Sequence, residues 1–400
     1  MKIISSLSDM KKVVTFLLTG IIAQSIAGQS FIPSYQDRSN MVSQTNIISN
    51  LQEFAAFGVK KTGSQANTDA LNWLKSKYIS YGYTNSQIVE DPFSYGTTGS
   101  KNLVVTKTGT VYPNTYVIIC GHFDTINGPG VNDNGSGVSI ILEAARILKD
   151  VPTEYSIKFI NFSGEEQGLL GSYHYADNIA YQGDTRVLDI KLVFNIDQVG
   201  GKSGNVNDTV YCDQDLGGVS SNNAASATVT QELRNCTALY SPLQTAVDPA
   251  ESTDYIPFEE KGEVITGFFE RIRSNYPHTS NDTLANTDPV YIYNIGKAAV
   301  GALQHFAVAT STLGTDEIRS KNSLENVKIY PNPVKDVIKI SLPDSIIKNF
   351  SFEITDLAGH SLVKKTNESK IDISNLENGV YIGTLKADNQ LVVRKIIVEK

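Results

Sequence analysis

The sequence is poor in cysteine, in long apolar runs and in net positive charge. Cysteine occupies three of the 400 positions, so at most one disulfide can form within the chain. Cys212 and Cys236 could pair and leave Cys120 in an apolar strand, and three free thiols are equally compatible with the sequence. The apolar residues 13–26 are too few to span a membrane permanently, and no other stretch is long and apolar enough to cross a bilayer, so we expect no permanent membrane span.

Acidic residues outnumber basic ones by 42 to 34, which gives a net charge of −8. The first 27 residues contribute +2 and residues 315–400 contribute +1, so residues 28–314 carry about −11. This balance argues against nucleic acid as a partner. It suits a site that receives a cationic peptide N-terminus, although net charge alone does not locate a site.

The N-terminus has the order of features that is typical of a secretory signal peptide. Lys11 and Lys12 form a basic start, residues 13–26 are apolar, and small residues follow at 25–28. We therefore expect residues 1–27 to be a signal peptide, with Met10 as an alternative start, and the mature protein to be exported. A buried N-terminal helix is the alternative.

The central part of the chain alternates between apolar strands and amphipathic helices. Strands that are nearly all apolar and alternate with helices indicate a sheet that is covered on both faces. We therefore expect a three-layer α/β/α domain at 28–314 with a central mixed, largely parallel sheet. In such sheets ligands gather at the carboxyl ends of the strands.

Around Gly314 the character of the sequence changes. Residues 315–326 are polar and read as a linker, and seven short β runs separated by turns follow at 327–400. This pattern predicts a small all-β sandwich. A metal-type cluster does not stand out in it, so we interpret it as an accessory module.

Two predicted strands end in residues that bind metals. His122 and Asp124 follow the apolar run 116–120, and at this spacing His122 can bind a metal while Asp124 orients its ring. Asp197 closes the apolar strand 192–196. Taken by itself, His122 could also be a structural histidine whose ring is held by a hydrogen bond.

Three further segments carry such side chains. Asp133 lies in a Gly- and Asn-rich loop before a helix, where it either caps the helix or bridges two metals. Glu165 and Glu166 repel one another at a strand-to-helix turn, and a cation explains them unless the next helix stabilises both. His278 lies in a polar loop, with Asp282 as its candidate orienting partner. Mixed nitrogen and oxygen donors suit zinc at a catalytic site.

The motifs GHFDT, GVNDNGSG, SGEEQGLLGS, NIDQVG and YPHTSNDT occur in this order between residues 40 and 312. In this respect the chain resembles the zinc aminopeptidases of the MH clan, the bacterial leucyl-aminopeptidase-like family. The resemblance implies two Zn²⁺ ions per chain, peptide or protein N-termini as substrates, and Glu165 as general base with Asp124 as the orienting partner. The implied metal ligands are His122 and Asp197 for one ion, Glu166 and His278 for the other, and Asp133 between them.

The family's Ser-Asp-His-type segment departs here at Thr253 and Tyr255. We expect this departure to affect the wall of the substrate pocket and not the metals. A tyrosine stabilises the oxyanion in some relatives, and Tyr240, Tyr255 and Tyr276 are all candidates.

The C-terminal part resembles the sorting domain of the type IX (Por) secretion system. The stretches that carry the resemblance are IYPNP from residue 329, FEITDLAG from 352, LENGVYI from 376 and VVRKII from 392. The resemblance implies export through the periplasm to the cell surface or the medium, with the type IX machinery as partner. A carbohydrate- or surface-binding module is the alternative.

Other functions fit part of the same ligand set. A glutaminyl cyclase uses a related fold and usually one zinc ion. A carboxypeptidase or aminoacylase uses a similar dizinc plan, but the sequence lacks an obvious added dimerisation domain between strands. A catalytically inactive receptor or adhesin ectodomain would not need all the ligands together with Glu165.

Overall fold

The computed structural model describes residues 29–311, 328–341, 349–356, 360–387 and 390–400. The signal peptide expected at 1–27 and the linker expected at 315–326 lie outside these ranges. The chain divides into two compact units, Met1–Gly314 and Thr315–Lys400. Across the described ranges, no helix combines the length and the apolarity that a bilayer crossing requires.

The first unit contains the helices of the described chain. The α-helices are α1 Pro33–Ser39, α2 Gln44–Ala56, α3 Gln65–Ser80, α4 Gly137–Leu148, α5 Leu170–Tyr175, α6 Asn223–Tyr240, α7 Ile256–Glu259 and α8 Pro289–Phe306. Shorter helical turns lie at Asn85–Gln87, Val131–Ser136, Glu165–Gln167, Ala176–Ala180 and Leu284–Asn286. Ser43 and Ser64 cap α2 and α3, and Asp288 caps α8, each by accepting backbone N–H groups with its side chain.

The strands of the first unit form an eight-stranded mixed sheet and a small two-stranded ribbon. They are β1 Ile88–Tyr95, β2 Thr98–Lys107, β3 Tyr112–His122, β4 Tyr155–Phe162, β5 Tyr181–Gln182, β6 Thr185–Arg186, β7 Asp189–Ile196, β8 Thr209–Gln214, β9 Gln244–Pro249 and β10 Ile265–Glu270. The order in the large sheet is β1-β2-β4-β3-β7-β10-β8-β9. Its central strands β4, β3, β7 and β10 run parallel to one another.

Apolar side chains cover both faces of this sheet. Along β3, Val117 and Ile119 belong to one buried cluster, which includes residues of α2, α3, α4, α6 and α8. Ile118 and Cys120, which point to the opposite face, pack in a second cluster with Tyr175 and Phe258. The alternation of side chains along a strand thus builds the three layers. The predicted three-layer α/β/α architecture is confirmed.

The second unit is all-β in its described residues. Its strands are β11 Lys328–Tyr330, β12 Val337–Ser341, β13 Phe350–Thr355, β14 Ser361–Thr366, β15 Lys370–Asp372, β16 Gly379–Ala387 and β17 Gln390–Val398. They form one sheet of three strands and one of four, with a shared apolar core that includes Ile338, Phe352 and Ile396. The predicted small β sandwich is confirmed.

Some elements of the structure were not predicted from the sequence, among them β9 and α1. The strand β9 has no buried run, since its residues alternate between exposed and half-exposed at the edge of the sheet. The helix α1 is only seven residues long and polar in sequence, yet Tyr35 and Arg38 are buried. In the described part of the chain all three cysteines are free and buried.

The helix α1 is joined to the end of the first unit by polar contacts. Arg38 donates to Gln304 Oε1 at 3.2 Å and to the Thr310 carbonyl at 2.8 Å, and the Tyr35 hydroxyl donates to the Ala309 carbonyl. These contacts link residues more than 260 positions apart, so α1 joins the beginning of the first unit to its end. The segment is therefore an integral part of the fold.

We expect Arg38→Ala to lower the free energy of unfolding by about 2–4 kcal/mol, because it removes the donors to two acceptors in a buried environment. Urea unfolding of the mature chain measures this loss. Asp37→Ala is the matched control, since Asp37 is exposed on the same helix and its replacement is expected to change stability by less than about 0.5 kcal/mol. Equal stability of the two variants would contradict the role of α1.

Candidate metal centre

Three of the predicted side chains lie where parallel strands end. β3 ends at His122, Asp197 directly follows β7, and Glu165 begins the turn that follows β4. Since β3 pairs in parallel with both β4 and β7, these ends meet at one edge of the sheet. The expectation that ligands gather at the carboxyl ends of the strands agrees with this arrangement.

Among the described residues, six of the seven predicted side chains form two groups of potential metal ligands. In each group the ligand atoms lie within 4.8 Å of one another. The first group is His122, Glu165 and Asp197, and the second is Asp133, Glu166 and His278.

Asp133 lies between the two histidines. Its Oδ1 is 3.2 Å from His122 Nε2, and its Oδ2 is 3.0 Å from His278 Nε2. One carboxylate therefore faces both groups, one oxygen towards each. This is the geometry that a bridging ligand requires.

Glu165 lies farther from His122 than the other carboxylates around this histidine do. His122 Nε2 lies 3.4 Å from Asp197 Oδ1 and 4.0 Å from Glu165 Oε2. In the other group His278 Nε2 lies 2.9 Å from Glu166 Oε2. The neighbouring side chains of Glu165 and Glu166 thus point into different groups.

Burial makes this concentration of carboxylates costly to ionise. Burial, and then the nearby Asp133 carboxylate, raise the pKa of Glu166 to about 8. Burial, together with Asp197 and Asp254, also raises the pKa of Glu165 well above its usual range. The pKa of His122 is lowered by burial, but Glu165 and Asp197 outweigh this and raise it well above its usual value. The site thus favours bound positive charge.

The donor atoms fit metal ions. Within the described part of the chain, His122 Nε2, Asp133 Oδ2 and Asp197 Oδ1 are buried and make no well-formed hydrogen bond, although the side chains that face them lie only 3.0–3.4 Å away. Buried polar atoms rarely stay unpaired, so three of them at one place require an explanation such as an ion. Imidazole nitrogens and carboxylate oxygens together suit zinc at a site that keeps a coordination position open.

The turn that carries Asp133 is held by the loop that carries His278. Asp282 Oδ1 accepts the Asn132 backbone N–H at 2.7 Å, and Oδ2 accepts that of Asp133 at 3.0 Å. Asp282 was expected to orient the ring of His278; its carboxylate instead binds the backbone of the neighbouring loop. The loop that carries His278 therefore also fixes the backbone of Asp133.

Close backbone approach explains two glycines of the same turn. A Cβ at Gly128 would collide with the Thr279 carbonyl of the His278 loop. A Cβ at Gly137 would collide with the carbonyl of Ile196, the residue before Asp197. The small residues around Asp133 thus allow three ligand-bearing segments to meet.

Asp124 organises the backbone around the site. Its Oδ1 accepts the N–H of Glu165 at 3.2 Å, and its Oδ2 accepts the N–H of Glu166 at 3.3 Å and the Thr62 hydroxyl at 3.2 Å. His122 Nδ1 lies 3.1 Å from the Asp124 carbonyl oxygen and 3.7 Å from Oδ1. In this geometry the main chain of Asp124 is the nearer partner of the imidazole.

Thr253 reaches one of the candidate ligands. Its hydroxyl donates to Asp197 Oδ2 at 2.7 Å and is buried. The departure at this position was expected to affect only the pocket wall. Instead it reaches the metal centre, because the loop before α7 packs against the end of β7, which could not be seen from spacing along the chain.

The three candidate tyrosines differ in what their hydroxyls contact. Tyr255 OH donates to Asp213 Oδ2 at 2.9 Å and is buried. Tyr240 OH lies 2.8 Å from His305 Nε2 and accepts the backbone N–H of Ile32. Tyr276 is half-buried in the same loop as His278. Of the three, Tyr276 is the one whose hydroxyl makes no hydrogen bond within the described residues.

Comparison with known proteins agrees with this geometry. Residues 102–303, just over half of the chain, match the model of peptidase family M28. The chain belongs to peptidase family M28. Within that match lie all seven predicted site residues, and a relative from Pyrenophora tritici-repentis, 30% identical over 41% of this chain and 43% of its own length, is named a probable zinc metalloprotease.

Individual M28 relatives are similar over part of their length. An aminopeptidase of Bacillus subtilis, YwaD, is 27% identical over 287 residues, which cover 69% of this chain and 57% of the relative. The chain thus spans little more than half the length of YwaD and between 19% and 43% of the length of several other curated relatives. Among solved structures, the Legionella pneumophila aminopeptidase LapA has a TM-score of 0.62 at 22% identity and covers 73% of this chain and 78% of its own. At this identity the likeness shows the fold.

A glutaminyl cyclase from Porphyromonas gingivalis shares this fold too, with a TM-score of 0.54 at 18% identity over 66% of this chain and 99% of the cyclase. Residues 328–399 match the model of a secretion system C-terminal sorting domain. The second unit is therefore a sorting domain, and it implies that this M28 protein is exported.

We expect Thr253→Val to lower the affinity for zinc by about tenfold, because it removes the hydroxyl that orients Asp197 while keeping the volume of the side chain. Competition with a chromophoric chelator measures the affinity. Thr237→Val is the control, since that buried hydroxyl donates to the Leu233 carbonyl within α6. An unchanged zinc affinity in Thr253→Val would contradict a supporting role for this threonine.

Proposed function

We propose that the chain is a secreted dizinc aminopeptidase that hydrolyses the N-terminal peptide bond of peptides or proteins. The observation that carries the proposal is the position of Asp133, whose two oxygens face the two histidines at 3.2 and 3.0 Å. Such a carboxylate is needed where two ions act together and has little use at a single ion. Paired zinc ions about 3.5–4 Å apart occur in aminopeptidases.

The two groups of side chains support an assignment of the ligands. His122 and Asp197 would hold one ion, and Glu166 and His278 the other, with Asp133 between them. When bound, the ions would lower the pKa of the attacking water and polarise the scissile carbonyl. Among the described residues, His122, Asp133 and Asp197 each have a buried polar atom without a well-formed hydrogen bond. In this assignment each of these atoms would be a metal ligand.

Glu165 is the proposed general base. It stands 4.0 Å from His122 Nε2, farther than the ligand oxygens of Asp133 and Asp197, so it is free to move a proton. Its carboxylate would accept the proton of the attacking water and deliver it to the leaving amine. Because Asp124 accepts the backbone N–H groups of both Glu165 and Glu166, it holds the base and a ligand in register.

Two features favour an aminopeptidase within family M28. The first unit is strongly acidic, with about −11 over residues 28–314, and this suits a substrate with a free cationic amine. The curated relative YwaD, named an aminopeptidase, is similar over 69% of this chain.

Tyr276, half-buried and two residues before His278, is the candidate to stabilise the oxyanion.

Glutaminyl cyclase is the second candidate function, since a solved cyclase shares the fold. It would require one zinc ion, whereas both groups of donors are complete in this chain. Metal content therefore discriminates between the two functions. Two ions per chain favour the peptidase, and one ion with ammonia release from N-terminal glutamine peptides favours the cyclase.

We expect Glu165→Gln to keep both zinc ions and to lose at least about 100-fold in kcat on aminoacyl-anilides, because the proton acceptor is removed while the ligands stay. Elemental analysis of the mature protein gives the zinc content, and a chelator should abolish the activity of the unaltered chain. Glu260→Gln, an exposed glutamate, serves as the control. Near-normal turnover in Glu165→Gln would refute the assignment of the base.

We further propose that the type IX secretion machinery reads the C-terminal unit after export to the periplasm. Deletion of residues 323–400 should then leave an active enzyme in the periplasm, because the catalytic groups all lie in the first unit. Fractionation and hydrolysis assays measure both effects. If the shortened enzyme still reaches the medium, the module has another role, such as surface or carbohydrate binding.

A further inference from the structure

Glu270, the last residue of β10, is a buried carboxylate at the edge of the sheet where the metal centre lies. It is 1% exposed and makes four hydrogen-bond contacts. Its oxygens accept Asn132 Nδ2 at 3.0 and 3.1 Å, the Gly201 N–H at 2.7 Å and the Ser274 N–H at 2.7 Å. Every one of these partners is a donor.

The three partners belong to three different loops. Asn132 precedes Asp133, Gly201 lies four residues after Asp197, and Ser274 lies four residues before His278. The side chain of Asn132 adds a further link, since its Oδ1 accepts the Gly200 N–H at 2.6 Å. One carboxylate thus contacts each loop that brings in Asp133, Asp197 or His278.

These loops are distant in sequence and depend on such a tie. Glu270 is 138 residues from Asn132 and 69 from Gly201. Small displacements of the loops would change the distances among the metal ligands directly, because the ligands sit within a few residues of the contacts. A residue outside the ligand set that orients the ligands typically alters metal affinity by about 10–100-fold when it is replaced.

We propose that Glu270 is a positioning residue, which holds the loops of Asp133, Asp197 and His278 in the register that forms both metal sites together. The inference rests on the proposed dizinc function and extends it to a residue that contacts neither the ions nor the substrate. It acts through Asn132 and through the backbone of the other two loops.

A glutamine is a sharp test of this role. Glu270→Gln keeps the size of the side chain but turns an N–H₂ group towards a set of partners that are all donors. We expect the zinc affinity of this variant to fall by about 10–100-fold. In the zinc-free chain, amide hydrogen exchange should become faster in the segments 128–137, 197–201 and 271–282. Chelator competition and exchange with mass spectrometry measure the two effects.

Glu143→Gln is the matched control. Glu143 is also fully buried and accepts four hydrogen bonds, from Ser43, Asn46 and Arg146, but it ties α4 to the start of α2. Its replacement should lower the melting temperature and leave the zinc affinity and the three loops unchanged. An equal loss of zinc affinity in both glutamine variants would reduce Glu270 to a general stabilising residue and overturn the proposal.

The two proposals fail in different ways. If the unaltered chain binds fewer than two zinc ions, the dizinc function fails, while exchange in the zinc-free chain still decides the role of Glu270. If the loops of Glu270→Gln stay as protected as in the unaltered chain, the positioning role fails. If Glu270→Gln does not fold, Asn132→Ala serves as the second variant, because it removes one of the three partners of Glu270 and leaves the carboxylate in place. Chelator competition must then show weaker zinc binding, and hydrogen exchange must be faster in the same loops.

Discussion

Carboxylates converge on two histidines at one edge of the central sheet, and the rest of the catalytic unit is arranged to tolerate this charge. The residues Asp124, Asp133, Asp197 and Asp254 are all at most 3% exposed. Burial raises the pKa of Asp254 to about 7 and that of Glu166 to about 8, so these two carboxyls ionise less readily than exposed ones. Burial acts on Asp133 in the same direction, but His122 and His278 outweigh it and lower the pKa of Asp133 to about 2. Divalent cations make the ionised forms favourable, since they supply positive charge where solvent is excluded.

The outer carboxylates are stabilised differently from the inner ones. Asp124, Asp282 and Glu270 each accept at least two backbone N–H groups, from segments that carry a ligand or the proposed base. Amide dipoles therefore stabilise the outer carboxylates, while the inner side chains, His122 and His278 among them, are the proposed ligands of the ions. This division lets one edge of a sheet concentrate acidic groups.

Residue type and order along the chain were enough to predict which side chains converge at this edge, and their roles as ligands and base stay predictions. His122 and Asp197 close apolar strands, and the adjacent pair Glu165 and Glu166 has few roles outside ion binding. The supporting residues were beyond such reasoning. Glu270 ends a strand in the same way as Asp197, but its partners come from loops 69 and 138 residues away, and only the folded chain brings them together.

The fold was predictable to a similar degree and for related reasons. The buried strands β3, β4 and β7 are continuous apolar runs, so their periodicity and length indicate a sheet covered on both faces. Edge elements lack that signal, as in β9, where one side of the strand meets solvent. The helix α1 is stabilised by polar contacts to α8 and the residues after it, and such tertiary contacts have no local pattern in sequence.

The two halves of the metal centre differ in their exposure. The side chain of His122 is 1% exposed and that of His278 is 51% exposed. Since a catalytic metal needs an open coordination position, we expect a substrate to approach the proposed metal centre from the side of His278. The loop of His278 is also the one that Asp282 and Glu270 tie to the turn of Asp133. His278, the most exposed of the proposed ligands, thus lies in a loop that two carboxylates tie to the turn of Asp133, which reconciles an open entrance with a fixed ligand geometry.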